Sequence, residues 1–290
     1  MISVNLTITD VRVLPGDCAF LIDNGRTTIL YDTGFGFTGE QIAGNIRKAL
    51  GNRALDYILL THSHYDHVLA APHICRYYPD AKVIAGEYAC RIFAKPTARE
   101  AMRALDRSAV QKMGITDYED LTDELHVDLA VRDGDEIACG DMKFRVISLP
   151  GHTKCSIGFY LEEERLLLAS ETLGVYFGRG TYIPIYLVGY QMTLDSFAKA
   201  EKLDIDQLLI PHYGVIGRQE AQDFLAGSKA AAIRTAKKVQ QILSGGGSKE
   251  DAYAYFREMF YTERIRPAYP IDAFDVNTRA MIALIERELM

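Results

Sequence analysis

Tyr57-Ile58-Leu59-Leu60-Thr61-His62-Ser63-His64-Tyr65-Asp66-His67 is the stretch that decides the reading of this chain. Its first four residues form an apolar run of the length of a buried strand. The last six spell H-x-H-x-D-H and hold three of the seven histidines in the chain. Packing has no use for four ligand-type side chains on one turn at a strand end. Imidazole and carboxylate are the usual donors to zinc and to non-haem iron or manganese, so the phrase predicts a metal site. His62 and His64, two residues apart, share a side, while Asp66 and His67 turn toward a second position. One short loop thus offers two donors to each of two ions.

Outward from the phrase, short strands alternate with turns. Residues 3–9 alternate in hydropathy, and residues 19–22 and 27–31 flank Asp23-Asn24-Gly25, a hairpin signal. Asp32-Thr33-Gly34-Phe35-Gly36 follows, then a helical pattern over residues 39–50 and the strand that ends in the phrase. Beyond it come a helix over residues 68–78 and a strand over residues 81–85. Residues 87–124 are helical and charged, broken at Pro96 and Gly114, and read as a segment inserted over the sheet. Further strands are expected at residues 136–139, 143–149, 156–161, 165–169 and 208–211.

Three more ligand-type residues stand where such strands end. His152 follows Pro150-Gly151, Glu171 follows Leu166-Leu167-Leu168-Ala169, and His212 follows Leu208-Leu209-Ile210-Pro211. His152 can complete a three-histidine site with His62 and His64. His212 can complete a second site with Asp66 and His67, and Glu171 can bridge the two. After Gly217 the pattern becomes helical: residues 219–243, ended by Gly245-Gly246-Gly247, then residues 248–261, opened by Ser248 and Asp251 as a capping box. Pro267 and Pro270 mark a bend before a last helix near residues 275–289. We expect a catalytic domain over residues 1–217 and a helical cap over residues 218–290.

Composition narrows the partners. The 290 residues are 48% hydrophobic and 24% charged, the balance of a globular protein. A net charge of −7 opposes docking on nucleic acid, which rests on Lys and Arg neutralising phosphates. The five cysteines include no C-x-x-C pair, which suits reduced thiols in a cytoplasmic protein. The start of the chain lacks a signal-peptide pattern, and no apolar run approaches the roughly 20 residues that span a bilayer. The expected partner is a small-molecule substrate, with neither nucleic acid nor membrane; a homodimer is left open.

With these pieces in view the chain resembles the metallo-β-lactamase fold superfamily of hydrolases. The matching segments are Asp32-Thr33-Gly34, Thr61 to His67, Pro150-Gly151-His152-Thr153, Ala169-Ser170-Glu171 and Pro211-His212, in the family's order over roughly residues 1–217. The resemblance implies an α/β fold, an αββα sandwich with a C-terminal helical appendage here, and a dinuclear site at one edge of its sheets. It implies metal ligation by His62, His64, Asp66, His67, His152, Glu171 and His212, with Asp32 orienting the site from behind. Where the family usually has Asp, this chain has Glu171, one methylene longer. The glyoxalase II type usually carries Gly-Gly soon after the phrase, whereas this chain has Val68-Leu69-Ala70-Ala71. The helical tail and the spacing of His67, His152 and Glu171 are similar to those of the quinolone-signal response thioesterase of the same superfamily.

Two divalent ions, zinc first and iron or manganese as alternatives, give a bridging water the acidity to become hydroxide near neutral pH. The expected reaction is attack of that hydroxide on a small thioester, ester or phosphoester, with Asp66 as the catalytic residue that holds or relays its proton. The alternative is a non-haem iron oxidoreductase of the persulfide dioxygenase kind. His73 and His126 read as structural. Tyr176, Phe177, Arg179, Tyr182 and Tyr186 either line a substrate pocket or pack under the helices.

Overall fold

The computed structural model describes residues 6–178, 180–267 and 269–290. Arg179 and the first residues of the expected opening strand lie outside them. The chain divides into two compact units, residues 1–147 with 157–163, and residues 148–156 with 164–290.

The first unit opens with β1 (Thr7–Asp10), β2 (Phe20–Asp23) and β3 (Thr28–Tyr31), paired antiparallel. Gly25 turns the β2–β3 hairpin at φ 84°, a left-handed conformation that glycine adopts without steric cost. There follow α1 (Gly39–Leu50), β4 (Tyr57–Leu60), α2 (Tyr65–Val68), α3 (Ala71–Tyr77), β5 (Lys82–Gly86), α4 (Glu87–Phe93), α5 (Pro96–Lys112) and β6 (Leu129–Val131). From β3 to β6 the strands run parallel, and all six form one sheet in sequence order. Parallel strands are covered on both faces, and β3 is buried along its whole length. Helix α1 is held in place by burying Ile42, Ala43, Ile46 and Leu50, one stripe at helical spacing. The unit closes with β7 (Glu136–Cys139), β8 (Met142–Ser148) and β9 (Ile157–Leu161), neighbours in that order.

Because β3 and β4 are parallel, their carboxyl ends open on one edge of the sheet. Asp32 therefore emerges beside Thr61 and the histidine phrase. Topology, not sequence proximity, brings these residues together.

The second unit repeats the device. It contains β10 (Leu166–Leu168), β11 (Val175–Tyr176), β12 (Tyr182–Ile183), α6 (Tyr190–Ala200), β13 (Gln207–Ile210), β14 (Gly214–Gly217), α7 (Arg218–Ser244), α8 (Lys249–Phe260) and α9 (Ile271–Leu289). Strands β10 and β13 are parallel, so Glu171 and His212, each just beyond a strand, leave the same edge. The tail helices share one core with residues 175–190: Tyr186, Ala236, Phe256, Phe274 and Ile285 are all buried in it. The phenol of Tyr186 is satisfied there by the hydroxyl of Thr235, 2.9 Å away. Tyr186 is thus a packing residue, and Tyr176 and Tyr182 stack on each other at 5.6 Å beside Phe224.

Ser248 and Asp251 form the capping box of α8. Helix α9 starts at Ile271, a turn earlier than the pattern alone suggests. Pro270 stands just ahead of it, where a missing N–H costs the helix nothing. Among the described residues no helix is long and apolar enough to cross a membrane.

Candidate metal centre

In the first unit the site is built around a buried carboxylate. Asp32 is fully buried and accepts hydrogen bonds from the Thr61 N–H and hydroxyl, each at 2.8 Å. His67 Nδ1 lies 2.8 Å from its Oδ2, and the buried thiol of Cys18 adds a further donor. Burial pushes this carboxyl up to about 6, against the pull of His62 and of the Thr61 hydrogen bonds. The consequence is tautomer control. The one hydroxyl hydrogen of Thr61 goes to Asp32, so toward His62 Nδ1, 3.0 Å away, Thr61 acts as acceptor. His62 and His67 therefore both carry a proton on Nδ1 and keep the Nε2 lone pair for ligation, the arrangement that carboxylate-backed metal ligands use.

The donors of the phrase lie close together. Ring centroids are 4.7 Å apart for His62 and His64 and 4.1 Å apart for His62 and His67. The Asp66 carboxylate lies 3.8 Å from His67 Nε2. Helix α2 begins at Tyr65, directly after the extended backbone of His64, and its first turn brings the His67 ring against that of His62.

Two buried acids that the sequence did not single out secure this edge. Asp17 accepts the Phe35 N–H at 3.1 Å and the Thr38 hydroxyl at 2.8 Å. Asp106, on α5 of the charged segment, accepts the Gly36 N–H at 3.1 Å. A Cβ at Gly36 would fall 2.6 Å from the Tyr118 hydroxyl and 2.9 Å from Asp106, so a side chain here would have to displace both. The one sequence signal was Asp106 itself, an acid one turn after Met102 on the buried side of a helix.

Burial pushes the Asp106 carboxyl up to about 6, against hydrogen bonds from Tyr118 and Gly36 that pull it down. Its ordinary value is 3.8, so between about pH 4 and 6 the folded state holds a proton that the unfolded state has lost. The stability from this group is complete below that window and is lost as pH rises through it. Asp106→Asn, which keeps the acceptor for Gly36, should reduce the fall in urea-unfolding free energy across the window by about 1–3 kcal/mol. Equal pH slopes in the two proteins would contradict this.

In the second unit one carboxylate lies between two imidazoles. Glu171 opens a short 3-10 turn after β10 and is buried. Its Oε2 lies 2.7 Å from His152 Nε2 and its Oε1 lies 3.1 Å from His212 Nε2. His152 is held by its N–H, which donates to the Thr172 hydroxyl at 3.2 Å. The preceding Gly151 has φ 143°, and a Cβ there would fall 2.1 Å from the Thr193 hydroxyl oxygen. His212 stands in the β13–β14 turn at φ 62°, and Asp32 after β3 at φ 50°. Both occupy the left-handed region, where Asp and His are among the enriched non-glycine residues.

The donor chemistry of both sets suits zinc, iron or manganese: imidazole Nε2 atoms and carboxylate oxygens, with the other nitrogen of His62 and of His67 already engaged. His73 and His126 stand outside these sets. His73 is buried on α3, 3.5 Å from Glu40, and its pKa is lowered by desolvation. His126 is exposed, 3.8 Å from Asp128. All five cysteines are free thiols.

Comparison with known proteins agrees with these features. The family model described as the metallo-beta-lactamase superfamily matches residues 13–212. A hydroxyacylglutathione hydrolase of Francisella tularensis subsp. holarctica is 28% identical over 182 residues, 61% of this chain and 58% of that protein. An atrochrysone carboxyl ACP thioesterase of Cryptosporiopsis sp. is 24% identical over 242 residues, 83% of this chain and 62% of that protein. The matches thus span about 60% of these relatives. In fold the chain is similar to a metallo-beta-lactamase family protein of Thermus thermophilus, with a TM-score of 0.59 and 22% identity over 93% of this chain and 88% of that one.

Proposed function

The chain belongs to the metallo-beta-lactamase superfamily, and from that premise we propose that it is a metal-dependent hydrolase of a small thioester or ester. The observation that carries the reading is Glu171, whose two oxygens each face a different imidazole, at 2.7 and 3.1 Å. That placement supports a carboxylate able to serve two cations. In this reading His62, His64 and His152 would hold one ion and Asp66, His67 and His212 the other, with Glu171 as a ligand available to both. Zinc is the first candidate. Such ions supply Lewis acidity and an activated water at neutral pH.

The residues of the chain do the rest. Asp32 and Thr61 fix the tautomers of His67 and His62, so those ligands meet the ions without reorganising. Asp66, half-buried beside His67, holds the proton that the attacking water gives up and passes it toward the leaving group. Tyr213, next to His212, packs on Tyr176 with ring centroids 4.6 Å apart, and these rings offer an apolar wall for an acyl chain. The helices of residues 218–290 act as the cap on that side. The names of two relatives, a hydrolase and a thioesterase, favour a thioester over a phosphoester. The five free thiols suit a reducing, cytoplasmic setting.

The test is a panel of thioesters, lactones, phosphodiesters and β-lactams given to zinc-reconstituted protein, with His62→Ala as control. Thioester turnover should be fastest, and His62→Ala should lose it together with bound zinc. Stoichiometric metal without hydrolysis of any class, combined with oxygen consumption by the iron form, would move the chain to the oxidoreductases.

A further inference from the structure

Helix α7 turns one continuous face away from its own core. Gln219, Asp223, Ala226, Ala230, Lys237 and Gln241 are all exposed, at the three-and-four spacing that keeps residues on one side of a helix. The charge on this face is divided. Asp223 lies in its first half and Arg234, Lys237 and Lys238 lie in its second. The other charges of the first half are engaged elsewhere: Arg218 with Asp204 and Asp206, Glu220 with Tyr176, and Lys229 with Glu201. Neither Arg234 nor Lys237 has an ion-pair partner among the described residues, and the Lys238 ammonium stands 6.0 Å over the Tyr255 ring. A concentration of cations on a chain of net charge −7 is notable for that reason.

Beside the cationic half runs a groove of about 480 Å³. Ala230, Ile233 and Tyr255 form its apolar part, Arg234, Lys237 and Lys238 its charged rim, and no acidic residue lines it. An occupant should therefore bring carboxylates along with small apolar contacts.

The sequence of α7 supplies such an occupant. Ala230 is seven residues from Asp223 and seven from Lys237, and eleven from both Gln219 and Gln241. Seven residues are close to two turns, so all five lie on one face. In an antiparallel pairing of two α7 helices with Ala230 at the twofold axis, Asp223 of each copy falls opposite Lys237 of the other, with Arg234 less than one turn along. Gln219 then falls opposite Gln241, and the two Ala230 residues meet. A parallel pairing would instead place cations on cations, which selects against it.

We propose that this face of α7 is an interface for a second copy of the chain, self-complementary about Ala230. The contact is isologous, as twofold dimers require. Exposed ion pairs contribute little each, so the charges set direction and register while the groove provides apolar burial. From Gln219 to Gln241 the face is about 33 Å long at the usual rise of 1.5 Å per residue. One helix face about 10 Å wide gives a contact of roughly 330 Å², well under the 800 Å² per partner of a standard interface. The dimer is accordingly weak and sensitive to salt.

Sedimentation velocity on the full chain at 1–200 µM reads this directly. Dimer should build up across that range in low salt and recede in 0.5 M sodium chloride. Arg234→Glu with Lys237→Glu makes the face acidic, and Asp223→Lys makes it basic. Each variant should be monomeric alone at 100 µM, and an equimolar mixture should dimerise again. That rescue would also show that both variants are folded. Ala230→Cys should be joined to its counterpart by a short bis-maleimide at least tenfold faster than the unaltered chain. A native protein that is monomeric throughout, or a dimer that survives both charge changes, overturns the proposal.

Discussion

Glu171→Ala is expected to slow hydrolysis by about 10³-fold or more and to lower bound metal from two equivalents toward one. The carboxylate is buried, and its oxygens lie 2.7 Å from His152 and 3.1 Å from His212. Without it the two imidazoles lose the carboxylate between them, and the proposed pair of cations would lose an anionic ligand. A metal contributes several kcal/mol of charge stabilisation to a developing oxyanion, and each 1.36 kcal/mol is a factor of ten in rate. Glu171→Gln keeps the volume but removes the charge, so it should resemble the alanine variant in metal content while unfolding like the parent. Glu171→Asp is the informative intermediate, shortening the bridge by one methylene to the length usual in the family. Metal analysis by plasma mass spectrometry alongside single-turnover kinetics separates loss of metal from loss of chemistry. Two tightly held equivalents in Glu171→Ala would remove Glu171 from the bridge.

Asp32→Ala should carry the second-largest penalty, in stability as much as in activity. Its carboxylate is fully buried and serves Thr61 twice and His67 once. Deleting it strands those donors, and removing one partner from a buried charged pair costs about 3–5 kcal/mol. It also frees the tautomers of His67 and, through Thr61, of His62. Metal affinity should then fall by about 10–100-fold, the usual effect of losing a residue that orients ligands from behind. Asp32→Asn retains an acceptor for Thr61, so it should recover much of the unfolding free energy and little of the zinc affinity. Chemical denaturation and zinc competition against a chromophoric chelator measure the two effects separately. Equal recovery of both would mean that Asp32 acts through packing alone.

What the sequence made legible follows from how locally each feature is written. The phrase from His62 to His67 was plain because its donors are contiguous and β4 ends just before them. His152, Glu171 and His212 were findable one at a time, each behind an apolar run, and the parallel pairing of β10 with β13 explains why two of them share an edge. The hairpin at Gly25 and the capping box at Ser248 were legible for the same reason, since each is a rule of a few residues. Asp17 and Asp106 were not. Each meets the loop of Phe35 and Gly36 only in three dimensions, and an acid within a charged helix looks solvated until the helix is placed. The role of Thr61 was hidden too: a hydroxyl does not announce which neighbour receives its one hydrogen. The aromatic stretch from Tyr176 to Tyr186 was ambiguous by composition, and only burial separates Tyr186, deep in the core, from Tyr213, which stays exposed.

The left-handed backbone at Asp32 and His212 restricts how this protein can change. A non-glycine residue in that region carries about 1–3 kcal/mol of strain, and glycine is the substitution that ordinarily releases it. Here glycine would also delete the side chain for which the position exists, the carboxylate behind His67 at one site and the imidazole beside Glu171 at the other. The two positions are therefore closed to the simplest stabilising mutation. A lineage selected for heat resistance would have to accumulate its gains elsewhere, in the tail helices and surface turns, and carry these two kinks unchanged.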